Sequence, residues 1–238
     1  VPAAAPVAPA ISAGAATAPV PPSPSTPPAP MPAPALPSVT TPLPPAPSDP
    51  EAALRAIAQE IAVCRACALC PTRTNTVPGE GDPKAELLFV GEGPGADEDA
   101  QGRPFVGKAG DLLTKMIEAM GFRRDQVFIA NVVKCRPPGN RVPEPAEAAA
   151  CLPFLHRQIA AIRPKVICTL GNTPLRALMG DDKLGITRLR GQRLEWRGIP
   201  LIPTFHPAYL LRNPPAKKPC WEDLKAVLAL LGKTPPGR

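Results

Sequence analysis

The chain has 238 residues, a formal net charge of +7, 38 prolines, seven cysteines and two histidines. That length suffices for a domain with a sizeable core, and no run approaches membrane-spanning length, so no membrane role is expected. The cysteine number is odd and the chain long, which argues against a secreted disulfide scaffold and for an intracellular protein using some thiolates as metal ligands.

Residues 1–50 hold 18 prolines, 13 alanines, no aromatic residue and one charge, Asp49. Fixed proline torsions and missing N–H donors exclude helix and sheet interiors, so a disordered Pro/Ala-rich leader is expected there, with 51–238 forming one domain. No basic segment precedes a continuous apolar stretch, so no signal peptide is expected. The leader's partner is unknown. Residues 51–238 carry 27 basic against 19 acidic side chains, a balance that favours an anionic macromolecule over a small acidic metabolite.

SDPEAALRAIAQEIAVC opens with Asp49 as a candidate cap and Pro50 in the first helical turn, and Leu54, Ile57, Ala58 and Ile61 recur at helical spacing. That helix delivers Cys64 and Cys67. Four short apolar runs follow, at 86–91, 127–133, 165–171 and 199–205, each reading as a buried strand. Helical patterns lie at 108–122, with Gly121 as a natural stop, and at 145–164, broken in its first half by Pro153; a closing helix is expected at 221–232. The alternation implies a four-stranded parallel sheet with helices on both faces, a three-layer α/β/α fold. Ligands bind such sheets beyond the carboxyl ends of the strands, where Glu92, Asn131, Gly171-Asn172 and His206 fall.

FVGEGPGADED, at 89–99, fits the loose G-x-G-x-x-[GA] dinucleotide pattern through Gly91, Gly93 and Ala96. Pro94 removes a donor that a phosphate would need, and Asp97, Glu98 and Asp99 would repel a pyrophosphate, so that reading is set aside. Cys64 and Cys67 form a C-x2-C pair, while Cys135 and Cys151 form a C-x15-C pair around a turn-rich loop. Four thiolates suit zinc or an iron-sulfur cluster equally, and Cys70 competes as a ligand. Cys168, inside a strand, reads as core, and His156 as a surface or packing residue. HPAYLLRNP, at 206–214, sets His206 on a proline-fixed loop that can hold an imidazole against a ligand oxygen. The Tyr209, Leu210, Leu211 and Arg212 that follow combine apolar side chains with a cation, which suits a wedge pressed into stacked bases.

GEGPGADED with GRPFVGKAG, then NVVKCRPPGNR, then HPAYLLRNP, together with both cysteine spacings, resemble the family 4 uracil-DNA glycosylases, the iron-sulfur branch of the uracil-DNA glycosylase superfamily. The resemblance covers roughly residues 60–232 and leaves the leader without a role. It implies a uracil-DNA glycosylase-like fold and hydrolysis of the uracil N-glycosidic bond in double- or single-stranded DNA, by a monomer acting on the nucleoid in the cytoplasm. It further implies a 4Fe-4S cluster on Cys64, Cys67, Cys135 and Cys151, with Cys70 a bystander. Glu92, Glu98 and His206 then stand as catalytic, Gly91, Gly93 and Gly95 as the turn against the nucleotide, Phe105 as the ring stacking on uracil, and Asn131 as the base-edge reader. Leu210 or Arg212 would fill the gap left in DNA. Gly93 stands where another branch has a water-activating aspartate, and Gly95 where that branch has a tyrosine; the region of KCRPPGNR lacks the histidine of the covalent-trapping relatives. The competing class is an iron-sulfur DNA-binding or electron-transfer protein without glycosylase activity, which would need the cysteines but not Asn131 or His206.

Overall fold

Among the residues described by the computed structural model, 1–4 and 37–237, regular structure begins inside the segment expected to be leader, with the two-residue strand β1 (Ser38–Val39). The disorder expected for residues 5–36 lies outside the described residues. By its contacts the chain divides into Val1–Ala35 and Leu36–Arg238, and everything that follows belongs to the second unit.

Asp49 and Pro50 start α1 (Pro50–Val63) as their residue types require: the Asp49 carboxylate accepts the Ala52 N–H at 3.0 Å, and Ile57 and Ile61 are buried. The other strands are β2 (Glu80–Gly81), β3 (Leu87–Gly91), β4 (Phe128–Asn131), β5 (Val166–Leu170), β6 (Leu194–Trp196) and β7 (Ile199–Thr204). The remaining helices are α2 (Ala96–Gln101), α3 (Lys108–Ala119), α4 (Pro145–Ile162), α5 (Asn172–Met179), α6 (Ile186–Leu189), α7 (Pro207–Arg212) and α8 (Lys217–Leu230).

The strands form one sheet in the order β1-β6-β7-β5-β3-β4-β2. Its centre, β7-β5-β3-β4, is parallel throughout and comprises the four runs expected from sequence. Short flanking strands extend it: β6 pairs antiparallel with β7 and β2 antiparallel with β4, and β1 joins β6 in parallel. Alternate residues of the central strands feed two cores. Leu88, Val90 and Ile167 pack with Leu155 and Ile159 of α4 and Leu175 of α5 on one face; Phe89, Ile129 and Cys168 pack with Leu113 and Ile117 of α3 and Leu224 and Val227 of α8 on the other. Three layers result.

Two local expectations change. α4 runs unbroken through Pro153, which lies on an exposed face, as does Ala149, the residue whose carbonyl loses its donor, so solvent can meet the deficit. Residues 38–44, expected to be leader, lie on the domain: the Arg197 N–H donates to the Val39 carbonyl at 2.5 Å, Arg163 donates to the Pro44 carbonyl, and Val39 and Leu43 pack against the first core.

Candidate active site

A cleft of about 890 Å³ opens at the carboxyl ends of the central strands. From β3 the chain crosses to β4 on one side, while β5 and β7 lie on the other, and a ligand site is expected where the order reverses. Glu92 after β3, Asn131 at the end of β4, Thr173 after β5 and His206 after β7 all line the cleft, with Phe105 and Arg212.

Asn131 is 1% exposed, and its Oδ1 has no hydrogen-bond partner among the described residues. A buried acceptor without a donor is costly unless a ligand completes it. Gly91 makes room: a Cβ there would sit 2.4 Å from Asn131 Oδ1 and 2.5 Å from Phe105 Cζ. Phe105 is buried with φ +51°, a left-handed conformation rare for a bulky side chain, and Gly110 lets its carbonyl approach α3, where a Cβ would fall 1.9 Å from that oxygen.

His206 caps α7, its Nδ1 accepting the Ala208 N–H at 3.1 Å. An acceptor Nδ1 leaves the proton of the neutral ring on Nε2. Burial pushes His206 down to about 4, the Arg212 guanidinium pushes it the same way, and Glu98 opposes both, so the ring is a neutral donor at pH 7.

The acids of the first motif divide by contact. Glu92 Oε2 accepts the Thr173 hydroxyl at 2.5 Å. Both oxygens of Glu98 accept backbone N–H groups, from Gly95 at 3.0 Å, Val106 at 2.9 Å and Gly107 at 3.1 Å. Buried Asp99 accepts the Thr74 N–H at 2.9 Å and ties down the chain preceding β2. Thr173 is the polar residue that sequence reading missed, one place beyond the Gly171-Asn172 pair that marked this strand end.

Along α7, Leu210 is 1% exposed and packs in the second core, so it cannot reach a DNA stack without leaving that core. The helical turn faces it inward. Tyr209 and Leu211 are exposed instead, at 39% and 43%, and Arg212 lies at the cleft with Lys108, Arg141 and Arg176.

The uracil DNA glycosylase superfamily matches residues 78–225. Over 185 residues, 74% of this chain and 84% of the relative, the chain is 51% identical to the type-4 uracil-DNA glycosylase of Sulfurisphaera tokodaii. This chain belongs to the type-4 uracil-DNA glycosylases. The type-4 uracil-DNA glycosylase of Thermotoga maritima is 52% identical over 158 residues, 66% of this chain and 82% of the relative. That of Saccharolobus solfataricus is 47% identical over 187 residues, 75% and 87% respectively.

In this type-4 glycosylase Cys64, Cys67, Cys135 and Cys151 line one small pocket, and Cys70 lines it too. The segments meet because α1 packs on α4, where Arg157 and Glu60 form a two-pronged ion pair. Arg73 Nη1 donates to Cys135 Sγ at 3.2 Å and to the Cys64 carbonyl at 2.8 Å, and the Lys134 N–H donates to Cys151 Sγ at 3.3 Å. Burial pushes the Cys151 thiol up to about 11, which nearby Lys134 partly opposes. Lys134 is itself buried, its Nζ donating to the Asn131 carbonyl at 2.8 Å and to Gln158 Oε1 at 2.7 Å; burial lowers it to about 8. Neither Arg73 nor Lys134 was legible as a partner of these sulfurs. Among the described residues no three His, Cys, Asp or Glu side chains cluster as a single-ion site. Cys168 is fully buried in β5, and His156 packs against the Trp196 ring at 5.1 Å. Among the described residues, no helix is long and apolar enough to cross a membrane.

Proposed function

We propose that this chain excises uracil from DNA by hydrolysing the bond between uracil N1 and deoxyribose C1′, leaving an abasic site for base excision repair. The observation that carries this reading is Asn131 Oδ1, a buried acceptor lacking a partner among the described residues, in a cleft shared with Phe105 and His206. Uracil N3–H supplies the missing donor, and the Asn131 amide donates to uracil O4. Phe105, whose ring edge fits against Gly91 only because that residue has no Cβ, stacks on the uracil ring.

The base must first leave the duplex stack, at a cost of a few kcal/mol that falls at mismatches and in single strands. Leu211, exposed on α7 next in sequence to the cleft-lining Arg212, takes the role of wedge in place of Leu210, and Arg212, Lys108 and Arg176 face the phosphates. As the N1–C1′ bond breaks, electrons pass to uracil, and neutral His206 donates from Nε2 to a uracil carbonyl oxygen where negative charge accumulates. Glu92, held by Thr173, orients the water whose oxygen bonds C1′ and favours the cationic sugar; that water's proton ends on the released uracil. Glycines at 91, 93 and 95 keep the turn close to the nucleotide; a Cβ at Gly93 would meet Val133 Cγ2 at 2.7 Å.

Cys64, Cys67, Cys135 and Cys151 would hold a 4Fe-4S cluster. Their four thiolates, gathered with Cys70 around one pocket, suit such a cluster, and N–H donors to Cys135 and Cys151 are what bound thiolates require. When bound, the cluster would join the end of α1 to the 135–151 segment and supply a redox couple. The working unit we infer is a monomer of the glycosylase domain acting on the nucleoid in the cytoplasm. Incubating the air-protected protein with uracil-containing and matched thymine-containing DNA, then cleaving abasic sites with alkali, tests the activity. Strand breaks only at uracil are expected; none, or equal breaks in both, would overturn it.

A further inference from the structure

We propose that Glu98 is a positioning residue that clamps the loop carrying Phe105 to the Gly-Pro-Gly turn, and so fixes the stacking ring beside Asn131. The inference rests on the reading of Phe105 as the ring that stacks on uracil. Glu98 lies in the first turn of α2, and its carboxylate bridges two separate segments. Oε2 accepts the Gly95 N–H, as a residue three places into a helix often does for the residue before it. Oε1 accepts from Val106 and Gly107, two successive amides that converge because Phe105 before them is left-handed. Successive N–H groups after such a turn form a concavity for an anion, and here the carboxylate fills it.

Three features make the clamp specific to the ring. Phe105 pays a backbone penalty for its φ of +51°, which persists only where surrounding contacts over-determine it. Gly95 leaves the carboxylate its place, since a Cβ at 95 would stand 2.7 Å from Glu98 Oε2 and the carboxylate would have to shift. Finally, both oxygens of Glu98 already accept from fixed backbone donors, whereas Glu92 is engaged through one oxygen only among the described residues. Glu92, whose Oε2 accepts a hydroxyl that can rotate, is the better placed acid for water.

The test is a double-mutant cycle on the cluster-loaded protein, with Glu98→Gln, Phe105→Ala and the pair. Single-turnover excision at saturating and subsaturating DNA, inhibition by free uracil, and the pH profile are read for each. Glu98→Gln keeps the shape of the side chain but turns an acceptor into a donor facing an N–H. Free uracil is expected to bind on the order of tenfold to a hundredfold more weakly, with KM raised more than the maximal rate is lowered and the acid limb of the profile unmoved. In the Phe105→Ala background the same change should add nothing. Multiplicative losses in the pair, or a fallen maximal rate with unaltered uracil inhibition and a shifted acid limb, would overturn the clamp. Unaltered uracil inhibition in Phe105→Ala alone removes the stacking reading, whatever Glu98→Gln does. Should Glu98→Gln lose its iron or fail to fold, amide exchange in the unaltered enzyme decides: Val106 and Gly107 must exchange slowly, and open-chain rates refute the proposal.

Discussion

The Phe105 and His206 rings stand 5.7 Å apart between centroids, tilted by 32°, one fixed by a strained backbone and the other by capping its own helix. A base beside them meets a stacking surface and a hydrogen-bond donor already in place. No step of recognition has to order either ring.

His206→Ala is therefore expected to fold, keep its iron and excise uracil on the order of a hundred- to a thousand-fold more slowly, the range for losing a donor to a developing anion. Because the folded ring titrates near 4, below its ordinary 6.5, the unfolded chain binds the extra proton between those values. The stability linked to neutral His206 is complete above about 6.5 and is lost as pH falls toward 4; His156, also lowered to about 4 by burial, acts in the same direction. Imidazole nitrogen shifts in NMR should report a ring neutral at pH 6 and protonated on Nε2. A His206 titration near 6.5 would contradict this.

Asn131→Asp exchanges the amide donor for an acceptor. Cytosine offers an acceptor at N3 and a donor at N4, the reverse of uracil, so the native Asn131 meets it with two buried mismatches, each about 1–3 kcal/mol. In the variant uracil excision should drop steeply and weak cytosine excision emerge, measured in single turnovers on folded, iron-loaded protein. Unaltered rate and selectivity would move the base reader elsewhere.

The two adjacent leucines of α7 should separate cleanly. Leu210→Ala opens a hole in the second core and should destabilise the fold by about 2–5 kcal/mol in denaturant unfolding. Leu211→Ala should leave unfolding unchanged and slow excision from paired DNA more than from single strands, where no stack needs filling. Equal slowing on both substrates would argue against Leu211 as the wedge.

Purified without air, the protein should be yellow-brown, absorb broadly near roughly 400 nm and carry about four irons per chain, as thiolate-bound clusters do. Cys135→Ser and Cys151→Ser should each lose the iron and lower Tm, whereas Cys70→Ser should keep both. Stoichiometric zinc without iron or sulfide would sink the assignment.

Removal of residues 1–36 should leave excision on short DNA nearly unchanged, since that stretch has no charge with which to grip phosphate. A cut at residue 48 also takes the strand paired to Glu195–Trp196 and should lower Tm. Equal Tm for both truncations would show that residues 37–48 contribute nothing.

The parallel core was legible because each central strand is buried on both faces and reads as a continuous apolar run, and because Gly121 and Asp49-Pro50 mark helix ends by local chemistry. The flanking strands were not, since two or three residues carry no period. Asn131 and His206 could be placed at the cleft because strand ends are where such sheets bind ligands. Glu98 was harder: its partners Val106 and Gly107 are held by a turn whose left-handed residue, Phe105, no propensity foretells. Leu210 and Leu211 are identical in type, and only the rotation of α7 decides which one faces the core.

Both ends of the sheet finish in two-residue strands, Ser38–Val39 and Glu80–Gly81. On the second, the Glu80 carboxylate is engaged by Arg103 and Arg124. Little open backbone is left at either rim for another chain to copy, which guards against edge-to-edge aggregation. Here the guard on the β6 side is supplied by a proline-rich segment, whose neighbouring Pro37 and Pro42 have no N–H to donate. Stripping that segment away would uncover the Leu194–Trp196 rim and leave its backbone open to pairing with a second chain.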